Sequence, residues 1–84
     1  MKITIEDYKR LLVGARATIN TIAESAGINI DDCIEVQITP LTISFTMLLH
    51  RDGRAYIEGD DVATAVVCEP LSHSDWILLK EALV

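Results

Sequence analysis

The sequence predicts one small α+β domain: a three- or four-stranded antiparallel meander with an N-terminal and a C-terminal helix packed on one face (α-β-β-β-α). Three observations predict it. Apolar residues recur at helical spacing at each end of the chain, the middle alternates with period two, and the boundaries carry capping residues, glycine or proline. With 84 residues there is room for one domain, 1–84, around one core.

The first helix is punctuated at both ends. Thr4 suits the N-cap with Asp7 three positions on, and Ile3 and Tyr8 suit the two ends of a hydrophobic staple. Tyr8, Leu11, Leu12, Ala15, Ile19, Ile22, Ala23 and Ala26 then trace one helical face, so a single helix is expected up to Ala26. Gly27 follows as the residue that leaves the helix through positive φ, with Ile28 folding back on the last turn.

Residues 28–33 read as a polar loop containing Asp31 and Asp32. Alternation begins next, with Ile34, Val36 and Ile38 on one side and Glu35, Gln37 and Thr39 on the other. Pro40 has no amide proton for a ladder and ends or bends that strand. A second alternation sets Leu41, Ile43, Phe45, Met47 and Leu49, expected to meet the helices, against Thr42, Ser44, Thr46 and Leu48. Arg51-Asp52-Gly53-Arg54 is a hairpin signal. The returning strand starts at Arg54, meets a bulge or second turn at Gly59-Asp60-Asp61, and continues from Val62 to Cys68 as one bent strand or two short ones. After Pro70 the last helix repeats the opening punctuation, with Ser72 as N-cap, Asp75 at N3, and Leu71 and Trp76 as staple. Trp76, Leu79 and Leu83 form its inner face.

Composition narrows function. Half of the residues are hydrophobic, more than so short a chain can enclose, which points to self-association or a partner. The net charge is −6, and the acids concentrate between Glu24 and Glu69, where nine stand against Arg51 and Arg54. Such a surface repels nucleic-acid backbones and membranes and favours a protein with a basic surface. Val36–Leu49 is uncharged but interrupted by Pro40, so no membrane span is expected. Cys33 and Cys68 lie outside any C-x-x-C pair, and no N-terminal apolar signal segment is seen, so a cytoplasmic protein with reduced thiols is expected. A Cys33–Cys68 disulfide requires their strands to be neighbours.

No catalytic, metal or cofactor motif is assembled. Ser72-His73-Ser74-Asp75 has the letters of a hydrolase triad, but residues that close at a helix start cannot form the nucleophile–base–orienter line. Glu58-Gly59-Asp60-Asp61 lacks the further carboxylates of a two-metal site and the spacing of an EF-hand loop. His50, His73, Cys33 and Cys68 lack the short spacings of structural zinc sites. The four glycines build no phosphate loop.

The expectation is therefore a non-enzymatic protein-binding domain, an acidic inhibitor or neutraliser of the kinds found among phage anti-defence inhibitors, immunity proteins and antitoxins. Size, charge and element order resemble those of some acidic anti-CRISPR proteins, without a shared residue motif. The expected partner contacts are Asp31, Asp32, Glu35, Tyr56, Glu58, Asp60 and Asp61. Mimicry of nucleic acid needs denser carboxylates than thirteen acids against seven basic residues. The alternative is a homo-oligomeric structural or small-ligand-binding subunit, a homodimer or larger, joined through sheet edges or through Thr42, Ser44, Thr46 and Leu48, with room for a small ligand between protomers. A small enzyme using His50 or His73 across a subunit interface is the third class.

Overall fold

The computed structural model describes the backbone of every residue except 49, 52–53, 56, 59–60, 63 and 84, and the side chains of 1–48 and 64–83. The chain opens with a strand, β1 (Lys2–Thr4), and passes into α1 (Ile5–Lys9) and α2 (Val13–Ser25). A single 3₁₀ turn (Ile30–Asp32) leads to β2 (Cys33–Ile38) and β3 (Thr42–Leu48). Four two-residue strands follow: β4 (His50–Arg51), β5 (Arg54–Ala55), β6 (Ile57–Glu58) and β7 (Asp61–Val62). The long strand β8 (Thr64–Pro70) and helix α3 (His73–Leu83) complete it. The main sheet has the order β1-β2-β3-β8, antiparallel throughout.

The predicted α+β class and helix-covered meander are present, with four corrections. Lys2–Thr4, expected to be only the approach to a helix, is an edge strand in which Ile3 pairs with Val36. Thr4 serves twice, ending β1 and capping α1: its Oγ1 accepts from the Asp7 amide at 3.2 Å, and the Asp7 carboxylate accepts from the Thr4 amide at 3.3 Å. The expected single helix is in fact two. Leu12 is extended at φ −60°, ψ 151°, and α2 restarts at Val13. An unbroken helix over 5–26 would run about 33 Å, against about 20–24 Å for strands of this length. The break lets the α1 residue Tyr8, Leu11 in the connecting turn, and Ala15, Ile19 and Ala23 of α2 pack on the same short core.

The third correction concerns β2. Cys33 pairs with Met47 and Glu35 with Thr46, so Ile34 is an extra residue, a β-bulge. The bulge resets the alternation: Cys33, Val36 and Ile38 face the core while Ile34 is left exposed. Leu41, expected in the core row, is 78% exposed because Pro40 and Leu41 form the tip of the β2–β3 hairpin. Thr39 holds that tip, its Oγ1 accepting from the amides of Leu41 at 3.3 Å and Thr42 at 3.0 Å. The predicted Leu49 contact lies outside the described residues.

The helix C-terminus follows expectation, with Gly27 at φ 76° and the Ile28 amide donating to the Ala23 carbonyl at 2.8 Å. The hairpin signal at 51–54 corresponds to Arg51 paired with Arg54. The question at Gly59 falls on residues outside the described ones; on either side of them Glu58 pairs with Asp61. The core lies between the sheet and the helices: Ile3, Val36, Ile38, Ile43 and Phe45 from the strands meet Ala15, Ile19, Ala23 and Leu79 from α2 and α3.

Candidate functional site

Register defines the two faces of the sheet. The row Ile3, Val36, Phe45, Val67 runs across the four strands on the helix side. One residue along, Lys2, Gln37, Ser44 and Cys68 form a row on the opposite face, and Thr4, Glu35, Thr46 and Val66 form the next. Leu48 beside Thr64, and Thr42 beside Pro70, extend that face at its two ends. Among the described residues no helix lies over it, and Val66, on the edge strand β8, is 65% exposed. The surface spans all four strands. Its charge is confined to one side, where Lys2 and Glu35 pair at 3.6 Å.

The structure therefore places Thr42, Ser44, Thr46 and Leu48 together on this uncovered face, half-buried by their neighbours. Glu35 joins them by simple alternation with the buried Val36. Sequence reasoning missed Val66 and Cys68, which extend the same surface. Both parities of β8 are apolar, so alternation alone cannot separate Ala65 and Val67, facing the helices, from Val66 and Cys68; the pairing with β3 does.

The acidic candidates sit elsewhere. Asp31 and Asp32 occupy the 3₁₀ turn before β2, where the Asn29 side chain accepts from the Asp31 amide at 3.0 Å. Because Cys33 lies opposite Met47, this turn is at the sheet end where the chain departs after Leu48 and returns at Thr64. Glu58 and Asp61 belong to the segment spanning that gap, so chain topology carries both acidic stretches to one end. The side chains of Tyr56, Glu58, Asp60 and Asp61 lie outside the described ones, as does His50.

The other chemical candidates separate. Cys33 faces the core from β2, whereas Cys68 is exposed on the other face of β8, with β3 between them; both thiols are free. The conditional disulfide is thus corrected, since its strands are not neighbours. Ser72 Oγ accepts from the Asp75 amide at 3.2 Å, the capping geometry, which commits the hydroxyl to the start of α3. Among the described residues, no three His, Cys, Asp or Glu side chains converge as a metal ion would require. No described helix is long and apolar enough to cross a membrane.

Burial pushes the Cys33 thiol pKa up, and nearby Asp32 adds to the shift; the Sγ also donates weakly to the Asn29 carbonyl at 3.9 Å. Two results follow. A thiol reagent is expected to label Cys68 at once and Cys33 at least about a hundredfold more slowly, until denaturant makes the two equal. Equal native rates would contradict the burial of Cys33. The folded state also holds the Cys33 proton where an unfolded thiol has lost it. Stability is therefore expected to fall as pH rises through the alkaline range above the ordinary thiol pKa, and Cys33→Ala should remove that part of the slope.

No family model matches the chain, and neither does any curated protein or solved structure.

Proposed function

We propose that this chain is a non-enzymatic protein-binding domain, a small acidic inhibitor or neutraliser of another protein. The observation that carries the reading is the uncovered sheet face, whose β3 and β8 positions, Ser44, Thr46, Val66 and Cys68, are uncharged. A largely uncharged surface with small side chains suits close packing against another folded protein, and its described charges, Lys2 and Glu35, pair with each other. Asp31, Asp32 and the acidic stretch around Glu58, Asp60 and Asp61 would steer a basic partner, raising its association rate more than its final affinity. Glu35 and Tyr56 belong to the same proposed contact set. Two free thiols suit a reducing, cytoplasmic setting. Phage anti-defence inhibitors, immunity proteins and antitoxins are the classes that combine this size, acidity and mode of action.

The test separates the two surfaces. Tagged wild-type protein, a Ser44→Arg/Thr46→Arg variant and an Asp31→Asn/Asp32→Asn variant are each used to retain proteins from cell extract. Any protein retained by the wild type is then purified and its binding kinetics measured. The arginine pair is expected to weaken binding at least about tenfold through dissociation, and the asparagine pair to slow association and flatten its salt dependence. A partner that binds all three proteins alike would overturn the assignment of these surfaces.

A further inference from the structure

We infer that β8 is a dimerisation strand: two copies of this chain pair their β8 edges antiparallel about Val66, joining two four-stranded sheets into one of eight strands. This does not rest on the partner-binding reading above, because it uses the edge of the sheet and not its face.

The main sheet has two edges, and they differ. β1 is three residues long and carries Lys2. β8 is seven residues long, and its first five, Thr64-Ala65-Val66-Val67-Cys68, carry no charge. Proteins protect exposed edges by shortness, lysine, proline or a bulge. β1 has two of these devices, whereas β8 has none before Glu69 and Pro70. Thr64, Val66 and Cys68 are exposed, and among the described residues β8 pairs only with β3.

Register identifies which backbone groups are free. The Leu71 amide donates to the Leu41 carbonyl at 3.0 Å, so Leu71 points its backbone groups toward β3. Antiparallel alternation then turns Glu69, Val67 and Ala65 the same way. Thr64, Val66 and Cys68 direct their N–H and C=O groups outward. Pro70 also falls on the outward parity, which explains how a proline is accommodated within this strand: the donor it lacks is not one the ladder uses.

An alternating row of amide donors and carbonyl acceptors is complemented by another strand, and a second copy fits in one register. Centred on Val66, the residue meets Val66 of the partner subunit, and Thr64 meets Cys68 of the partner subunit. All three outward amides are used, and Pro70 is asked for nothing. A shift toward Pro70 loses a donor. On the helix side Ala65 comes opposite Val67 of the partner subunit. No charged residue opposes another anywhere in this ladder, so two chains of net charge −6 can approach here without placing acid against acid. A strand this short buries an area at the low end of specific interfaces, so a dissociation constant in the micromolar range is expected.

The measurement is light scattering coupled to size exclusion on the full chain, from about 1 μM to 1 mM. Three variants accompany the wild type. Val66→Pro removes an outward amide and leaves the β3 ladder intact. Val66→Lys sets two ammonium groups opposite each other across the two-fold axis. Val66→Cys in a Cys68→Ser background places two thiols on directly opposed residues, whose Cα spacing of about 5.5 Å lies within disulfide reach. The wild type is expected to pass from monomer to dimer mass across the range. Val66→Pro and Val66→Lys should raise the dissociation constant at least about tenfold with unchanged far-UV circular dichroism, and the thiol variant should form a disulfide-linked dimer on mild oxidation. If the proline variant does not fold, the lysine and thiol variants decide. A wild type monomeric throughout, a dimer indifferent to both Val66 substitutions, or a thiol variant that does not cross-link would overturn the proposal. None of these results touches the partner-binding reading, whose test depends on Ser44, Thr46, Asp31 and Asp32.

Discussion

Phe45→Ala is expected to lower the free energy of unfolding by about 3–5 kcal/mol. Phe45 is fully buried at the middle of β3, with Val36 beside it on β2 and Val67 on β8. It is the largest fully buried side chain among the described residues, and it belongs to the same core as Ile19, Ala23 and Leu79 of the helices. Removing the ring leaves a cavity bounded by two backbone ladders, which cannot close in without breaking hydrogen bonds. A domain of this size has roughly 5 kcal/mol to lose if it lies at the lower end of the normal range, which would leave about 0–2 kcal/mol and an unfolded fraction of up to about half. Urea unfolding of the wild type, Phe45→Ala and Phe45→Leu measures the effect, with the leucine variant costing about 1–1.5 kcal/mol. A loss below about 1 kcal/mol for alanine would mean that Phe45 is not where the layers meet.

Leu79→Ala should cost about 2–5 kcal/mol, and the damage should begin in α3. Leu79 is the one residue of this helix that is fully buried; Trp76, Ala82 and Leu83 only partly cover the core. The helix is entered from β8 through Leu71 and Ser72, and the hydroxyl cap at Ser72 fixes its first turn. With Leu79 shortened, the cap still holds that turn, but the rest of α3 loses its anchor. Amide exchange is expected to accelerate in α3 before the β2–β3 ladder, and Trp76 fluorescence to move to longer wavelength. Uniform acceleration across sheet and helices would instead show that α3 unfolds only with the whole domain.

What the sequence revealed and what it hid follow from the range of the forces involved. Caps are local chemistry: Thr4 with Asp7, Gly27 and Ser72 each satisfy backbone groups within a few residues, and each was legible. The hairpin signal at 51–54 was local too. β1 was not legible, because three residues form a strand only when β2 arrives to pair with them. The break before α2 was hidden by phase, since Leu11, Leu12 and Ala15 continue a helical stripe whether or not the backbone turns between them. The bulge at Ile34 leaves composition untouched and shows only as a slipped register.

The candidate surface divides in the same way. Thr42, Ser44, Thr46 and Leu48 lie in a strand with polar and apolar parities, so their common face could be read directly. Val66 and Cys68 lie in a strand apolar on both parities and needed the β3 pairing to place them. That pairing also gave Leu71 its bond to Leu41 and so identified the outward amides of β8.

The three ladders of the main sheet also differ in how much chain must be gathered before each can form. β2 and β3 close over the Pro40-Leu41 tip, β3 and β8 over residues 49–63, and β1 and β2 over residues 5–32 with their two helices. Closure entropy rises with the intervening length, and non-local pairings slow folding. The β2–β3 hairpin is therefore the natural nucleus, β8 joins it next, and β1 docks last, after α1 and α2 have taken up the slack. Its short ladder makes β1 the first to detach as well, so the opening strand of the chain is the closing event of its folding.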